Sequence, residues 1–291
     1  MPFYKWVFRG MRDLDILHEM GDILTNMLTS KEPDVEDVCR AVSEARERDP
    51  SPAGRAVLGQ LLDNYAIARE ENVAICQDTG MCVIFLEIGQ DVHITGGDLN
   101  EALNRAVHDA YTEGYLRKSV VRDPLYQREN TRDNTPAVVH TRIVPGENID
   151  ILVTPKGFGS ENMSRIKMLV PADGEQGVID FVVDAVRQAG PNPCPPVIVG
   201  VGIGSTMEGA ALMAKRMTAR SLDAPNPDPR YQALEQKILT RINALGIGPA
   251  GIGGRCTALA VHIMAAPTHI GGLPVAVNLC CHAARHARAA L

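Results

Sequence analysis

Apolar positions recur every three or four residues through the first quarter of the chain. Leu14, Ile16, Leu17, Met20, Ile23, Leu24 and Leu28 keep helical spacing with charged residues between them. Two similar stretches, Val35 to Arg48 and Arg55 to Glu70, are set off by Pro33 and by Ser51-Pro52. The pattern predicts a helical N-terminal region over about 11–70. It changes at Asn72, where an apolar run ends in the polar loop Cys76-Gln77-Asp78-Thr79-Gly80 and a strand follows over Cys82 to Ile88. Asp98, with Glu101 three residues on, reads as the N-cap of a helix running to about Tyr115. Ala137–Val144 and Ile149–Thr154 flank Pro145-Gly146-Glu147-Asn148, which predicts a β-hairpin with a four-residue turn.

Further on, helices are expected over Gly174–Gln188, Ser205–Ala219 and Tyr231–Leu245. Strands are expected over Pro196–Val201, Thr257–Met264 and Pro274–Leu279, with a glycine-rich loop at Gly246–Gly254 and a short basic tail at the end. With no internal repeat and no low-complexity linker, the economical reading is one mixed α/β domain spanning 1–291. It has a helical N-terminal layer and an α/β catalytic region from about 71.

Composition narrows the function. Charged residues are 22% and apolar residues 45% of the 291, the balance of an ordinary globular protein. A formal net charge of −6, a pI near 5.8 and only 4% aromatic residues argue against a nucleic-acid scaffold. No apolar run approaches the roughly 20 residues that cross a bilayer. The start, Met1-Pro2-Phe3-Tyr4-Lys5-Trp6, lacks the features of a secretory signal, so a cytoplasmic protein is expected.

Seven cysteines are scattered singly, apart from Cys280-Cys281, with no C-x-x-C pair; this is neither a disulfide framework nor a zinc ribbon. Cys39, Cys82 and Cys256 lie in helix or strand patterns and read as packed thiols. Cys76, Cys194 in Pro-Asn-Pro-Cys-Pro-Pro, and Cys280-Cys281 lie where a strand-like run meets a loop, the places where a fold aims side chains at a shared pocket. Three thiolates converging from distant segments suit a [4Fe–4S] cluster whose fourth iron lacks a protein ligand and can act as a Lewis acid. Packed thiols without metal are the competing reading.

Other residues suit an anionic substrate, each with an ordinary structural alternative. Arg117 could grip a carboxylate or complement a helix end. The loop Lys156-Gly157-Phe158-Gly159-Ser160-Glu161-Asn162 could nest an anion or simply turn. Asp78 could serve as an acid or base, or form an Asx-turn ahead of Gly80. His269 could move a proton or sit at the surface. Gly200-x-Gly202-x-Gly204 follows a strand and opens a helix, like a dinucleotide loop, but Ser205 stands where the fingerprint needs its third glycine. A nucleotide-binding module is the rival of a different class.

Taken together, Ile75-Cys76-Gln77-Asp78-Thr79-Gly80, Glu113-Gly114-Tyr115-Leu116-Arg117-Lys118-Ser119, Gly190-Pro-Asn-Pro-Cys194-Pro-Pro, Gly246-Ile-Gly-Pro-Ala250-Gly and Asn278-Leu-Cys-Cys281-His-Ala-Ala-Arg285-His286 closely resemble the α subunit of class I, iron–sulfur fumarate hydratase. The L(+)-tartrate dehydratase α subunit is a near relative. The resemblance implies a hydro-lyase that interconverts fumarate and L-malate, or acts on tartrate. It implies a [4Fe–4S] cluster on Cys76, Cys194 and Cys281, with Cys280 an extra thiol. Substrate would be held at positions matching Gln77, Asp78, Arg117, Gly159 and Asn162, with Asp78 and His269 implicated in the chemistry. A β subunit would complete the site within a higher hetero-oligomer. Phe158 and Arg132 replace glycines usual in the family's pattern and bear on substrate identity rather than reaction type.

Overall fold

The computed structural model describes residues 33–95 and 97–291. The expected helix over Leu14 to Leu28 lies outside the described residues. The rest is mixed α/β, as the patterning predicts, and its internal contacts divide into two compact units. One unit holds 72–156 and 285–291; the other holds 33–71 and 157–284.

The first unit is built on a sheet of order β2-β1-β3-β8, with β1 at Met81–Gly89, β2 at Val138–Val144, β3 at Ile149–Lys156 and β8 at Ala287–Ala290. Along β1 the alternate residues Cys82, Ile84, Leu86 and Ile88 face one side. They meet Ile149, Ile151 and Val153 of β3 and the apolar stripe Leu103, Ala106, Val107, Ala110 and Tyr111 of the helix Leu99–Glu113. That helix starts where its sequence signals, with the Asp98 carboxylate accepting from the Glu101 amide at 3.0 Å.

The expected hairpin between β2 and β3 does not form. β1 lies between them, parallel to β2 and antiparallel to β3. The reason is burial. β1 is apolar on both faces and takes a central position with both edges bonded, whereas β2 is half exposed and suits the sheet edge. The chain from β2 to β3 arches over the end of β1, where the Gly89 amide donates to Asn148 O at 2.8 Å. A Cβ on Gly89 would sit 2.4 Å from Gly146 O, so the crossing requires glycine. The expected basic tail is the strand β8, paired antiparallel with β3.

The second unit has a sheet of order β4-β7-β5-β6, with β4 at Arg165–Leu169, β5 at Val197–Ser205, β6 at Ala258–Thr268 and β7 at Leu273–Cys280. Val197, Val199, Val201 and Ile203 point to one face. There they pack with Val275, Val277 and Leu279 against the helices Gly174–Ala189 and Pro229–Asn243. Gly200 and Gly202 point to the other face, onto the helix Met207–Met217. A Cβ at either would lie 2.0 Å from a helix carbonyl, Ala214 O or Ala210 O. The Gly-x-Gly rhythm therefore lets a helix lie directly on a strand, and a dinucleotide loop is not needed to explain it.

The helices Pro33–Arg48 and Pro52–Glu71 match the expected helical layer and belong to this unit. Asp49 between them is buried. Its carboxylate accepts from the amides of Ser51, Arg255 and Cys256, tying the layer to the end of the glycine-rich loop.

Candidate active site

In the first unit, several buried bonds fix the loop that follows the helical layer. Asp78 Oδ1 accepts from the Gly80 amide at 3.0 Å, closing the expected Asx-turn, and Gly80 adopts φ 76°. The buried Tyr111 hydroxyl donates to Thr79 O at 2.8 Å and Gly80 O at 3.0 Å. Burial pushes that phenol far above its usual range, so it stays a donor. Asn134, fully buried with φ 64°, donates from Nδ2 to Gly80 O at 2.9 Å. Its Oδ1 accepts from the amides of Ser119 and Val120 at 2.7 and 3.2 Å. Asn134 thus couples the Asp78 turn to the segment carrying Arg117, and Thr79 Oγ1 adds a bond to Arg117 O at 3.1 Å. Arg285 Nη2 donates to Asp78 O at 3.1 Å.

On this scaffold Cys76 and Asp78 are half-buried, while Gln77 and Arg117 are exposed. The Asp78 amide points at Cys76 Sγ from 3.4 Å, and the thiol reaches Gln77 Oε1 at 3.4 Å. Arg117 lies beyond the helix that ends at Glu113, with Leu116 buried beside it, so it does not cap that helix. The first unit therefore brings Cys76, Gln77, Asp78 and Arg117 together on one rigid frame.

In the second unit Cys194 is exposed at φ 53°, in a turn closed by its amide on Pro191 O at 3.0 Å. Gly159 faces that turn: a Cβ there would lie 3.7 Å from Asn192 O. Asn162, also exposed, ends the short turn of helix Phe158–Glu161. Glu161 accepts from Asn278 Nδ2 of β7 at 3.0 Å and pairs with Lys215. In the β5–β7 register Ile198 faces Cys280, so Cys281 follows at the end of the sheet where Cys194 leads into β5. His282 is held by Tyr65, whose hydroxyl donates to its carbonyl at 2.9 Å.

His269 is placed elsewhere. It lies exposed in the turn between β6 and β7, where its Nδ1 accepts from the Gly271 amide at 3.1 Å. The eight residues of β7 separate this turn from Cys281, about 25 Å of strand. The second unit thus gathers Cys194, Cys281, Gly159 and Asn162 at one end of its sheet and His269 at the other.

The remaining thiols differ in kind. Cys82 and Cys256 are buried, and desolvation pushes both up to about 12. Cys280 is buried too, and burial raises Cys39. Within neither unit do three His, Cys, Asp or Glu side chains gather as a set for a lone metal ion, among the described residues.

A family model described as fumarate hydratase (Fumerase) matches residues 23–290. The chain belongs to the fumarate hydratase family. Relatives agree over nearly the whole length. "Putative L(+)-tartrate dehydratase subunit alpha" of Methanocaldococcus jannaschii is 39% identical over 258 residues, covering 87% of this chain and 90% of the relative. The L(+)-tartrate dehydratase subunit alpha of Escherichia coli K12 is 32% identical over 271 residues, covering 92% and 88%. Membership in this hydro-lyase family makes the chain an enzyme component, and among the described residues no helix is long and apolar enough to cross a membrane. The sequence motifs identified the family but not what positions its loop. Tyr111, Asn134 and Arg285 carry that work; the one signal in the sequence was a tyrosine on the apolar stripe of a helix, whose hydroxyl must find an acceptor.

Proposed function

We propose that the chain is the α subunit of a [4Fe–4S] hydro-lyase that, with a separate β subunit, reversibly hydrates fumarate to L-malate. The observation that carries this reading is the clamped loop of the first unit, which presents a thiol, a carboxyl group and, from the neighbouring segment, a guanidinium. A second reading, dehydration of L-tartrate, draws on the names of the two relatives above. Both substrates are small 2-hydroxydicarboxylates, so the same groups serve either.

Cys76, Cys194 and Cys281 would hold the cluster. The residues fit it: none of these thiols is deeply buried, Cys76 sulfur already receives an amide N–H as metal-bound thiolates do, and Arg285 buries a positive charge beside the loop. When bound, the cluster supplies a Lewis acid for the substrate's hydroxyl and a carboxylate. Arg117 would pair with a substrate carboxylate through parallel N–H bonds. Gln77, with Gly159 and Asn162, would orient the rest of the skeleton. Asp78, its Oδ1 fixed by the Gly80 amide, would deliver the proton that lets hydroxide leave as water. We assign the base that takes the carbon-bound proton to the β subunit. We keep His269, exposed in the turn between β6 and β7, as the second candidate for moving or positioning a proton. Thiolate ligands call for reducing conditions, and the location proposed with this reading is the cytoplasm.

The test is anaerobic purification and reconstitution with iron and sulfide. The wild-type chain should take up both in equal amounts, and Cys76→Ser, Cys194→Ser and Cys281→Ser should each lose them while Cys280→Ser does not. The chain alone should turn over malate and tartrate poorly, and the β subunit should restore one of them. An iron-free chain after reconstitution refutes the reading; the preferred acid decides between its two forms.

A further inference from the structure

A guanidinium carries five N–H donors and a charge it cannot shed. Arg285 is 2% exposed. One donor group, Nη2, reaches Asp78 O, while the residue's own carbonyl accepts from Thr154 Oγ1 at 3.0 Å, so its backbone is pinned to β3. The Nε and Nη1 groups are buried with no hydrogen-bond acceptor among the described residues. Keeping a cation in that condition costs far more than one bond to a carbonyl returns. Such a group belongs opposite an anion.

Two connections say which anion. Arg285 is four residues after Cys281 in the chain, and it bonds the carbonyl two residues after Cys76. It is therefore tied through main chain to two of the three proposed cluster ligands. Exposed Arg117, by contrast, is placed to meet a substrate from solvent. A cluster with three thiolates carries net negative charge and several sulfur acceptors.

We propose that Arg285 is a positioning residue for the iron–sulfur cluster. Its remaining N–H donors bond cluster or thiolate sulfur, and its charge offsets the cluster's own. The inference rests on the cluster reading given above. Removing the positive charge makes adding an electron harder, so the cluster's reduction potential falls. Removing the donors loosens the sulfur ligands, so iron is lost sooner.

The experiment uses the full chain, reconstituted anaerobically and free of substrate, as wild type, Arg285→Gln and Arg285→Lys. Circular dichroism checks folding, iron and sulfide analysis checks loading, and a titration followed by electron paramagnetic resonance gives the potential. Arg285→Gln should load, titrate at a lower potential than wild type, and lose iron in air roughly tenfold faster or more. Arg285→Lys, which keeps the charge but not the planar set of donors, should lose iron faster with a potential closer to wild type. If Arg285→Gln fails to fold, Arg285→Lys decides alone: wild-type iron retention overturns the proposal. A loaded Arg285→Gln protein with wild-type potential and retention overturns it as well, as does an effect confined to KM in the assembled enzyme, which would mark a substrate contact. A wild-type chain that takes up no iron overturns the cluster reading itself, and this inference with it.

Discussion

Asn134→Ala is the sharpest test of how the site loop is held. The side chain makes three bonds, to the amides of Ser119 and Val120 and to Gly80 O, all from a fully buried position. At about 1 kcal/mol net for each, their loss totals roughly 3 kcal/mol. Alanine also tolerates φ 64° less well than asparagine, adding about 1 kcal/mol. Gly80 O keeps the Tyr111 hydroxyl, which offsets about 1 kcal/mol of this and leaves roughly 3 kcal/mol in all, most of it at the Ser119 and Val120 amides.

The perturbation should therefore be local. A loss of 3 kcal/mol raises the population of the opened loop by about two decades. Hydrogen exchange read by mass spectrometry should show peptides covering 116–122 and 76–82 exchanging some hundredfold faster, while the core of the second unit is unchanged. Asn134→Asp keeps the acceptor for both amides and sets an oxygen against Gly80 O. It should spare 116–122 more than 76–82. Exchange of both peptides within threefold of wild type in Asn134→Ala would refute the claim that this residue clamps the loop.

Three further outcomes follow from the geometry. Gly202→Ala forces a Cβ to within 2.0 Å of Ala210 O, so the overlying helix must shift by about an ångström; a loss of about 1–3 kcal/mol in urea unfolding is expected, and a loss under 0.5 kcal/mol would deny the close helix–strand contact. Burial resists ionisation of Asp133, but bonds from the Thr135 amide and hydroxyl and from His108 outweigh it and hold its carboxyl at about 2, below the unfolded value near 3.9. Its stabilising contribution is present above about pH 4 and is lost as pH falls toward 2, so Asp133→Asn should flatten the decline in urea midpoint over that window; an unchanged slope would count against the assignment. In the cluster-free chain at pH 8, iodoacetamide should label Cys194, Cys76 and Cys281 at least about a hundredfold faster than Cys82 and Cys256, whose thiols are pushed up to about 12; comparable rates would contradict their burial.

Elements whose pattern is local were legible in the sequence. The capped helix after Asp98, the apolar strand after Gly80 and the helical layer ending near residue 70 all stand within a few residues of their expected bounds. The hairpin failed because a turn signal says where the chain reverses, not which strand fills the gap. That depends on β1 having two apolar faces to cover. The three groups that hold the site loop escaped for a related reason. Tyr111, Asn134 and Arg285 reach their partners across 31, 54 and 207 residues of chain, and no window of sequence contains both ends of such a bond. Gly200 and Gly202 carried the opposite risk. Their rhythm suggested a ligand loop, and only the helix lying on them gives the spacing its packing cause.

The loop from Cys76 to Gly80 is held by two kinds of group, and they separate position from charge. Tyr111 and Asn134 are neutral and bind the carbonyls of Thr79 and Gly80, whereas Arg285 is charged and binds that of Asp78. Asn134→Ala should let the loop drift with the charge in place; Arg285→Gln should remove the charge while Tyr111 and Asn134 still grip the loop. If iron retention falls in both variants but the potential moves only in Arg285→Gln, the loop's geometry and its electrostatics are independent contributions. If Asn134→Ala moves the potential as far, the effect of Arg285 is one of position alone, and the buried charge has no electrostatic task at the cluster.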